Sequence, residues 1–391
     1  MGKFNPERRN FMRTAIAGSV GLSVSANAID AKPAESATTR DQAAKPEWRN
    51  RKPGMTYRMF GNTGMMVSEI VVGTTPWSDE THFPMMDAAI ERGINYIDTA
   101  PAYSRGEAER LVGKYITRTG TRDQLFISTK LSHYDEFHYG LIEDVLKGLP
   151  QEKRNAIEKR ADDLIHQRGV MKPGYHFTYF GAQARKYKTG FIQHLVLEEY
   201  GRMQAWKPKI KAHMRSSMEK SLKAVQTDYF DVLHCPHGVP IPEMLDDENI
   251  REIFDEFKRK GIARFNAFSA HNDVAGNLAH AIELGYYDGA MVAYNIANHA
   301  ALDTLIAKAK NHGMGIVAMK VAKIIDDADT PQWRIDKLNA AVEEELSLHA
   351  KGYLWALQNP NISCCVSNLS TPAMVAENAG VTGRRIEFGQ V

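Results

Sequence analysis

From about residue 56 onward, short β-branched or apolar runs alternate with segments of helical period, and this alternation repeats eight times. The runs are Ile70–Gly73, Ile94–Asp98, Leu125–Thr129, Tyr229–Leu233, Ile262–Phe268, Ala290–Ala293, Gly315–Met319 and Ile362–Val366. Helix-like stretches lie at 82–93, 106–118, 213–225, 243–260, 272–285, 300–312, 335–358 and 372–379. Many of them close on a glycine just before the next strand (Gly93, Gly261, Gly285, Gly313), as a helix C-cap would. Eight strand–helix units in a row predict an α/β chain closed into a parallel (β/α)8 TIM barrel. The competing architecture is an open doubly wound sheet, and no Gly-x-Gly-x-x-Gly turn follows the first strand to support it. Thr56–Phe60, the turn Gly61-Asn62-Thr63-Gly64 and Met66–Ile70 predict an N-terminal β-hairpin plugging the barrel bottom.

One unit is much longer than the rest. About eighty residues separate the third strand from its helix, and positions 133–211 carry 14 basic and 10 acidic side chains. Within them 150–168 reads as helix, and 173–191 as an aromatic, basic loop. An insertion after a barrel strand belongs on the C-terminal face, where such barrels do chemistry. It is therefore expected to be a lid over the site, with an association surface as the alternative.

The N-terminus reads as an address. Residues 1–28 contain Arg8-Arg9-Asn10-Phe11-Met12-Arg13, then a small, mildly apolar stretch ending in Ala26-Asn27-Ala28. The paired arginines and the small-x-small end resemble a bacterial twin-arginine export signal. That resemblance implies the twin-arginine export machinery as a partner and a periplasmic or other extracytoplasmic location. Residues 29–55 are polar and rich in Ala, Lys and Pro, and read as a linker, leaving 56–388 for the barrel.

Composition removes several classes. With 49 basic against 47 acidic residues there is no basic excess of the kind nucleic-acid binders carry. No apolar run after the N-terminus reaches membrane-span length, so stable membrane insertion of the mature chain is not expected. Cys235, Cys364 and Cys365 are too few for a disulfide scaffold. His234-Cys235-Pro236-His237 has metal-type side chains but no second cluster nearby, so no metal site is assigned.

The candidate chemistry sits at strand ends. Asp98 closes the second run, Tyr103 follows five residues later, Lys130 closes the third run and His234 the fourth. Converging on one mouth, they suit proton donation to a carbonyl oxygen. A neighbouring ammonium lowers the pKa of a phenol, and a carboxylate keeps that ammonium charged and placed. An imidazole beside the phenol orients the carbonyl or shares its proton.

The order FGNTGMMVSEIVVGTT, AAIERGINYIDTAPAYSRGEAERLVGKYI, RDQLFISTKL, DYFDVLHCPHG, KRKGIARFNAFSAHN and NPNISCCVSNLSTPAMVAEN resembles the aldo-keto reductases from about Tyr57 to Gly380. The resemblance implies an oxidoreductase passing a hydride between NADP(H) or NAD(H) and an aldehyde or ketone. It implies a tetrad in which Tyr103 is the general acid, Lys130 lowers its pKa, Asp98 anchors Lys130 and His234 orients the carbonyl. For the cofactor it implies Gly73 and Thr74 beside the nicotinamide, Ser269 at the carboxamide, Lys320 after the seventh strand, and Glu377 with Asn378 at the adenine end. Ala270 and Met291 stand where the family usually has asparagine and glutamine, and Asn368 and Met374 where basic residues usually grip a 2′-phosphate. The choice between the two nucleotides is therefore open. The chain ends soon after the last helix, so 133–211 is expected to take over the substrate-selecting role of the family's C-terminal loop. Two other readings use the same scaffold: an exported, non-catalytic ligand-binding barrel, and an isomerase or lyase reusing Lys130 and Tyr103.

Overall fold

The eight expected strands close on themselves, so no sheet edge is left in the barrel. Residues 44–201, 203–325 and 329–386 are described by the computed structural model. The export segment expected at 1–28 lies outside them. Three short strands come first: β1 (Glu47–Trp48), β2 (Tyr57–Met59) and β3 (Met65–Ser68). The barrel strands follow as β4 (Ile70–Gly73), β5 (Tyr96–Asp98), β6 (Phe126–Lys130), β7 (Phe230–His237), β8 (Ala263–Ala270), β9 (Gly289–Ala293), β10 (Gly315–Met319) and β11 (Cys364–Ser367). Going round the barrel the order is β4 to β11 in sequence, with β11 returning to β4, and every pairing is parallel. Almost every strand residue is buried, as a sheet covered by helices outside and side chains inside requires. Gly93, Gly261, Gly285 and Gly313 all take positive φ where helices turn into strands, the role their spacing predicted.

The hairpin forms and closes the bottom. β2 and β3 pair antiparallel, and Phe60, Met65 and Val67 join Val71, Tyr96, Phe126, Val232 and Val317 in one buried core. Gly289 and Gly315, at the starts of β9 and β10, leave room for the Phe60 ring, which a side chain at either would strike. The 29–55 stretch differs from a plain linker in its described part. β1 pairs with β3 in parallel, and Arg49 donates to Leu125 O at 2.6 Å and to the fully buried Asp231 at 3.3 Å. Arg122 and Arg264 also reach Asp231, at 3.1 and 2.7 Å, and Ile127 N donates to it at 2.9 Å. A fully buried carboxylate is tolerated there because several donors surround it.

Two further expectations change. The stretch 335–358 is two helices, Gln332–Ala341 and Leu348–Leu357, because Val342 leaves helical geometry and Ser347 caps the second by accepting from Ala350 N at 3.2 Å. Part of the 173–191 loop is also helical. The insertion contributes the helices Tyr134–Lys147, Gln151–Arg168 and Arg185–Tyr200 before Met203–Val225. The second and third of these pack together over Ile157, Ala161, Phe191, Leu195 and Val196, all buried. Among the described residues no helix is long and apolar enough to cross a membrane.

Phe60 is a fully buried aromatic with glycine-shaped space made for it. Phe60→Ala should therefore lower unfolding stability by about 3–5 kcal/mol, read from denaturant midpoints. A loss below about 1 kcal/mol would mean that the ring is not the plug.

Candidate active site

Side chains level with one another on paired parallel strands point to the same face, and the face repeats every second residue. Asp98 is level with Ser128, and Lys130, two residues further along, is level with His234. The register alone thus aims Asp98, Ser128, Lys130 and His234 at one side of the mouth. The Lys130 ammonium donates to both Asp98 oxygens, at 2.5 and 2.6 Å, and to Thr99 O at 3.0 Å. Ser128 Oγ donates to Asp98 Oδ1 at 2.7 Å. Tyr103 stands over this pair: its hydroxyl is 3.5 Å from Asp98 Oδ2, and Lys130 Nζ lies 4.9 Å from its ring centre.

Burial and charge set the protonation states. Burial alone lowers the pKa of Lys130, but the adjoining Asp98 and Tyr103 reverse this, and it ends above the ordinary lysine range. The phenol of Tyr103 is not acidified on balance. Burial pushes its pKa up, Lys130 pulls it down, Asp98 pushes it up again, and the result is above the ordinary tyrosine value. This corrects the expectation of a lowered phenol pKa. Lys130 is held bidentate by Asp98, whose negative charge offsets the field that reaches the ring. Tyr103 is therefore a neutral phenol at pH 7, with a proton to donate.

His234 is fully buried. Burial first, then the Lys130 charge, brings its pKa down to about 4, so the ring is neutral at pH 7. Its Nδ1 is 3.2 Å from Phe268 O, a pure acceptor, which places the ring's one proton on Nδ1. Its Nε2 is buried without a partner among the described residues. In this tautomer Nε2 is an acceptor, fitted to a hydroxyl hydrogen.

The cofactor candidates divide between two arcs of the rim. Gly73 ends β4, Lys320 follows β10, and Asn378 donates to Ser367 at the end of β11, at 3.0 Å. These three strands are neighbours. A side chain at Gly73 would meet Asn368 Oδ1 at 2.7 Å, so only glycine permits that approach. Thr74 Oγ1 donates to Asp98 O at 3.1 Å, tying this arc to the tetrad candidates. Ser269, inward-facing on β8, accepts from Gly238 N at 2.9 Å. Lys320 is half-buried, and burial with the Lys323 charge lowers its pKa. Glu377 is half-buried one position before Asn378. The residues fit a bound dinucleotide in one respect: Asn378 Oδ1 is a buried acceptor with no partner among the described residues.

One residue of the mouth was not singled out for chemistry. β7 continues to His237, and its pairing with β8 slips by one residue between His234 and His237. The slip carries His237 against Tyr103, with ring centres 6.0 Å apart, while Ser132 Oγ sits 2.8 Å from His237 Nδ1. The only sequence signal was the pattern His234-Cys235-Pro236-His237. Cys235, Cys364 and Cys365 are buried free thiols. No cluster of three or more metal-type side chains occurs among the described residues.

A family model described as the aldo/keto reductase family matches residues 64–166 and 183–324, and the break falls in the insertion. Aldo-keto reductase YhdN of Bacillus subtilis is 40% identical over 84 residues, covering 19% of this chain and 25% of that protein. The uncharacterized oxidoreductase YqkF of the same organism is 27% identical over 218 residues, covering 55% of this chain and 49% of its own length. The chain thus spans half or less of these curated relatives. Among solved structures, the holo form of aldo-keto reductase AKR11C1 from Bacillus halodurans superposes with a TM-score of 0.57 at 19% identity, over 85% of this chain and 92% of that one. An aldo/keto reductase from Klebsiella pneumoniae in complex with NADP and acetate does so with a TM-score of 0.54 at 17% identity, over 85% and 91%. These structures share the barrel, and the family model matches more than half of the sequence, strand ends included: this chain belongs to the aldo/keto reductase family.

Proposed function

We propose that the protein is a nicotinamide-dependent carbonyl oxidoreductase, exported through the twin-arginine route and working in the periplasm. The observation that carries the catalytic reading is the Lys130–Asp98 pair, bidentate at 2.5 and 2.6 Å and nearly inaccessible to solvent, directly beneath a neutral Tyr103. When bound, NAD(P)H supplies the hydride to the carbonyl carbon. Gly73, Thr74, Ser269, Lys320, Glu377 and Asn378 would hold it across the strand ends. Tyr103 donates its hydroxyl proton to the oxygen as negative charge develops there. The adjacent Lys130 ammonium then stabilises the phenolate that remains, and Asp98 keeps that ammonium in place. His234 Nε2, an acceptor in this tautomer, would accept from the hydroxyl of the alcohol form and so places that oxygen in the oxidation direction.

The insertion acts as a lid in this reading. Its support is a set of bonds to the loops after β8 and β9: Tyr187 OH accepts from Asp273 N at 2.8 Å, and Tyr179 OH accepts from Asn295 Nδ2 at 3.0 Å. Export rests on Arg8-Arg9 and on Ala26-Asn27-Ala28. A periplasm does not regenerate free nicotinamide readily, so the cofactor is seated before export and retained.

Tyr103→Phe should lower carbonyl reduction by roughly 10²–10⁴-fold while leaving NADPH binding, followed by fluorescence, unchanged; full activity in the variant would remove Tyr103 from its role. Replacing Arg8 and Arg9 by lysine should leave the protein in the cytoplasm on cell fractionation, and undiminished export would end the twin-arginine reading.

Since folding depresses the His234 pKa to about 4, the unfolded chain binds more protons than the folded one between there and the free histidine value near ~6.5. Stability gained from this group is complete above that window and is lost as pH falls through it, by up to about 1.4 kcal/mol per pH unit. His234→Asn should flatten the dependence of the denaturant midpoint on pH in this range. An unaltered slope would show that His234 is not held neutral.

A further inference from the structure

We infer that Lys186 of the insertion and His271 after β8 form a recognition point for the carboxylate of an acid-bearing carbonyl substrate. This rests on the reductase reading above. A Cβ placed on Gly238 would lie 3.6 Å from Lys186 Nζ and 3.7 Å from His271 Nδ1. The two nitrogens therefore flank one small notch beside Gly238. Neither is satisfied. His271 Nδ1 is buried without a hydrogen-bond partner, and among the described residues the Lys186 ammonium has neither a hydrogen bond nor an ion pair.

The contrast with Lys130 gives the physical argument. Lys130 is held by both oxygens of Asp98, whereas among the described residues no carboxylate lies within ion-pair distance of Lys186, and Asp135 feels its charge from further off. Burial raises the Asp135 pKa to about 7 even against the pull of Lys186, so this group is only a partial counter-charge at neutral pH. An ammonium with no paired carboxylate is available to an arriving oxyanion, and the buried His271 Nδ1 beside it adds a second unpartnered nitrogen.

The positive field is concentrated at this notch. After burial, the charges of Lys320, Lys186 and Lys130 all oppose protonation of His271. Lys130 and Lys186 do the same to His237. His237 adjoins Gly238 and meets the Tyr103 ring edge-on, so the notch lies next to the phenol that faces the carbonyl. An oxyanion could come from the substrate or from a cofactor phosphate. The position beside His237 and Tyr103 favours the substrate.

The test compares 4-formylbenzoate with its methyl ester as substrates of the full chain with NADPH, and measures terephthalate binding by calorimetry. The wild type should prefer the acid over the ester in kcat/KM by roughly tenfold or more, as expected for a charge-assisted bond. In Lys186→Met this ratio should fall toward unity through KM, terephthalate should bind correspondingly more weakly, and Lys186→Arg should restore both. If both aldehydes are reduced with the same acid-to-ester ratio in wild type and Lys186→Met, the inference is overturned while the reductase reading stands. Absent terephthalate binding, or a variant weakened for NADPH but not for terephthalate, overturns it too. Reduction of neither aldehyde, with terephthalate binding still dependent on Lys186, would instead sink the reductase reading and leave the anion point in place.

Discussion

The buried pair of Asp98 and Lys130 is the constraint around which the mouth of this barrel is arranged. Two charges removed from water are unfavourable unless every remaining donor and acceptor is matched, and here the matching is thorough. Lys130 donates to both oxygens of Asp98 and to Thr99 O, and Ser128 donates to Asp98 as well. Removing either partner would strand the other charge at a cost of about 3–5 kcal/mol. The pair exists only because β5 and β6 are adjacent in the register that puts Asp98 level with Ser128. A slip of one residue would turn Lys130 out of the barrel. The geometry of this pair and the strand register are in this sense one property.

The opposite end of the barrel is built around a second buried carboxylate, with a different outcome. Asp231 receives Arg49, Arg122, Arg264 and the Ile127 amide, so its acceptors are occupied. At the mouth, by contrast, His234 Nε2, Asn378 Oδ1 and His271 Nδ1 have no partner among the described residues. Buried polar groups that are all satisfied hold a fold together, and buried polar groups left open mark where a ligand completes them.

Much of this was legible in the chain, for local reasons. Asp98, Lys130 and His234 stand out because a titratable residue ending an apolar run is conspicuous, and the terminal glycines of the helices fix where each run begins. The hairpin was legible because Gly61-Asn62-Thr63-Gly64 is strong turn chemistry. What escaped depends on contacts between distant segments. Nothing near Val342 announces a break inside an apparently continuous helix, and the order around Arg49 comes from Asp231, far along the chain. His237 joins the mouth through a slip in strand pairing that no single strand reveals. The protonation of Tyr103 escaped for a related reason: proximity to Lys130 was foreseeable, but the weight of burial against it depends on what packs over the ring.

The insertion is anchored to the barrel independently of the buried pair at its mouth. Its helices have an apolar centre of their own, and it grips the barrel through the loops that follow β8 and β9. Asn272 Nδ2 donates to Gln183 O at 3.1 Å, and Gln183 Nε2 reaches His271 O at 3.4 Å. Neither bond touches Asp98, Lys130 or the strands that carry them. Loop backbone tolerates remodelling that a buried, register-dependent ion pair does not. A side chain such as Lys186, presented from the first turn of the helix Arg185–Tyr200, can therefore vary in charge while the Asp98–Lys130 pair stays fixed.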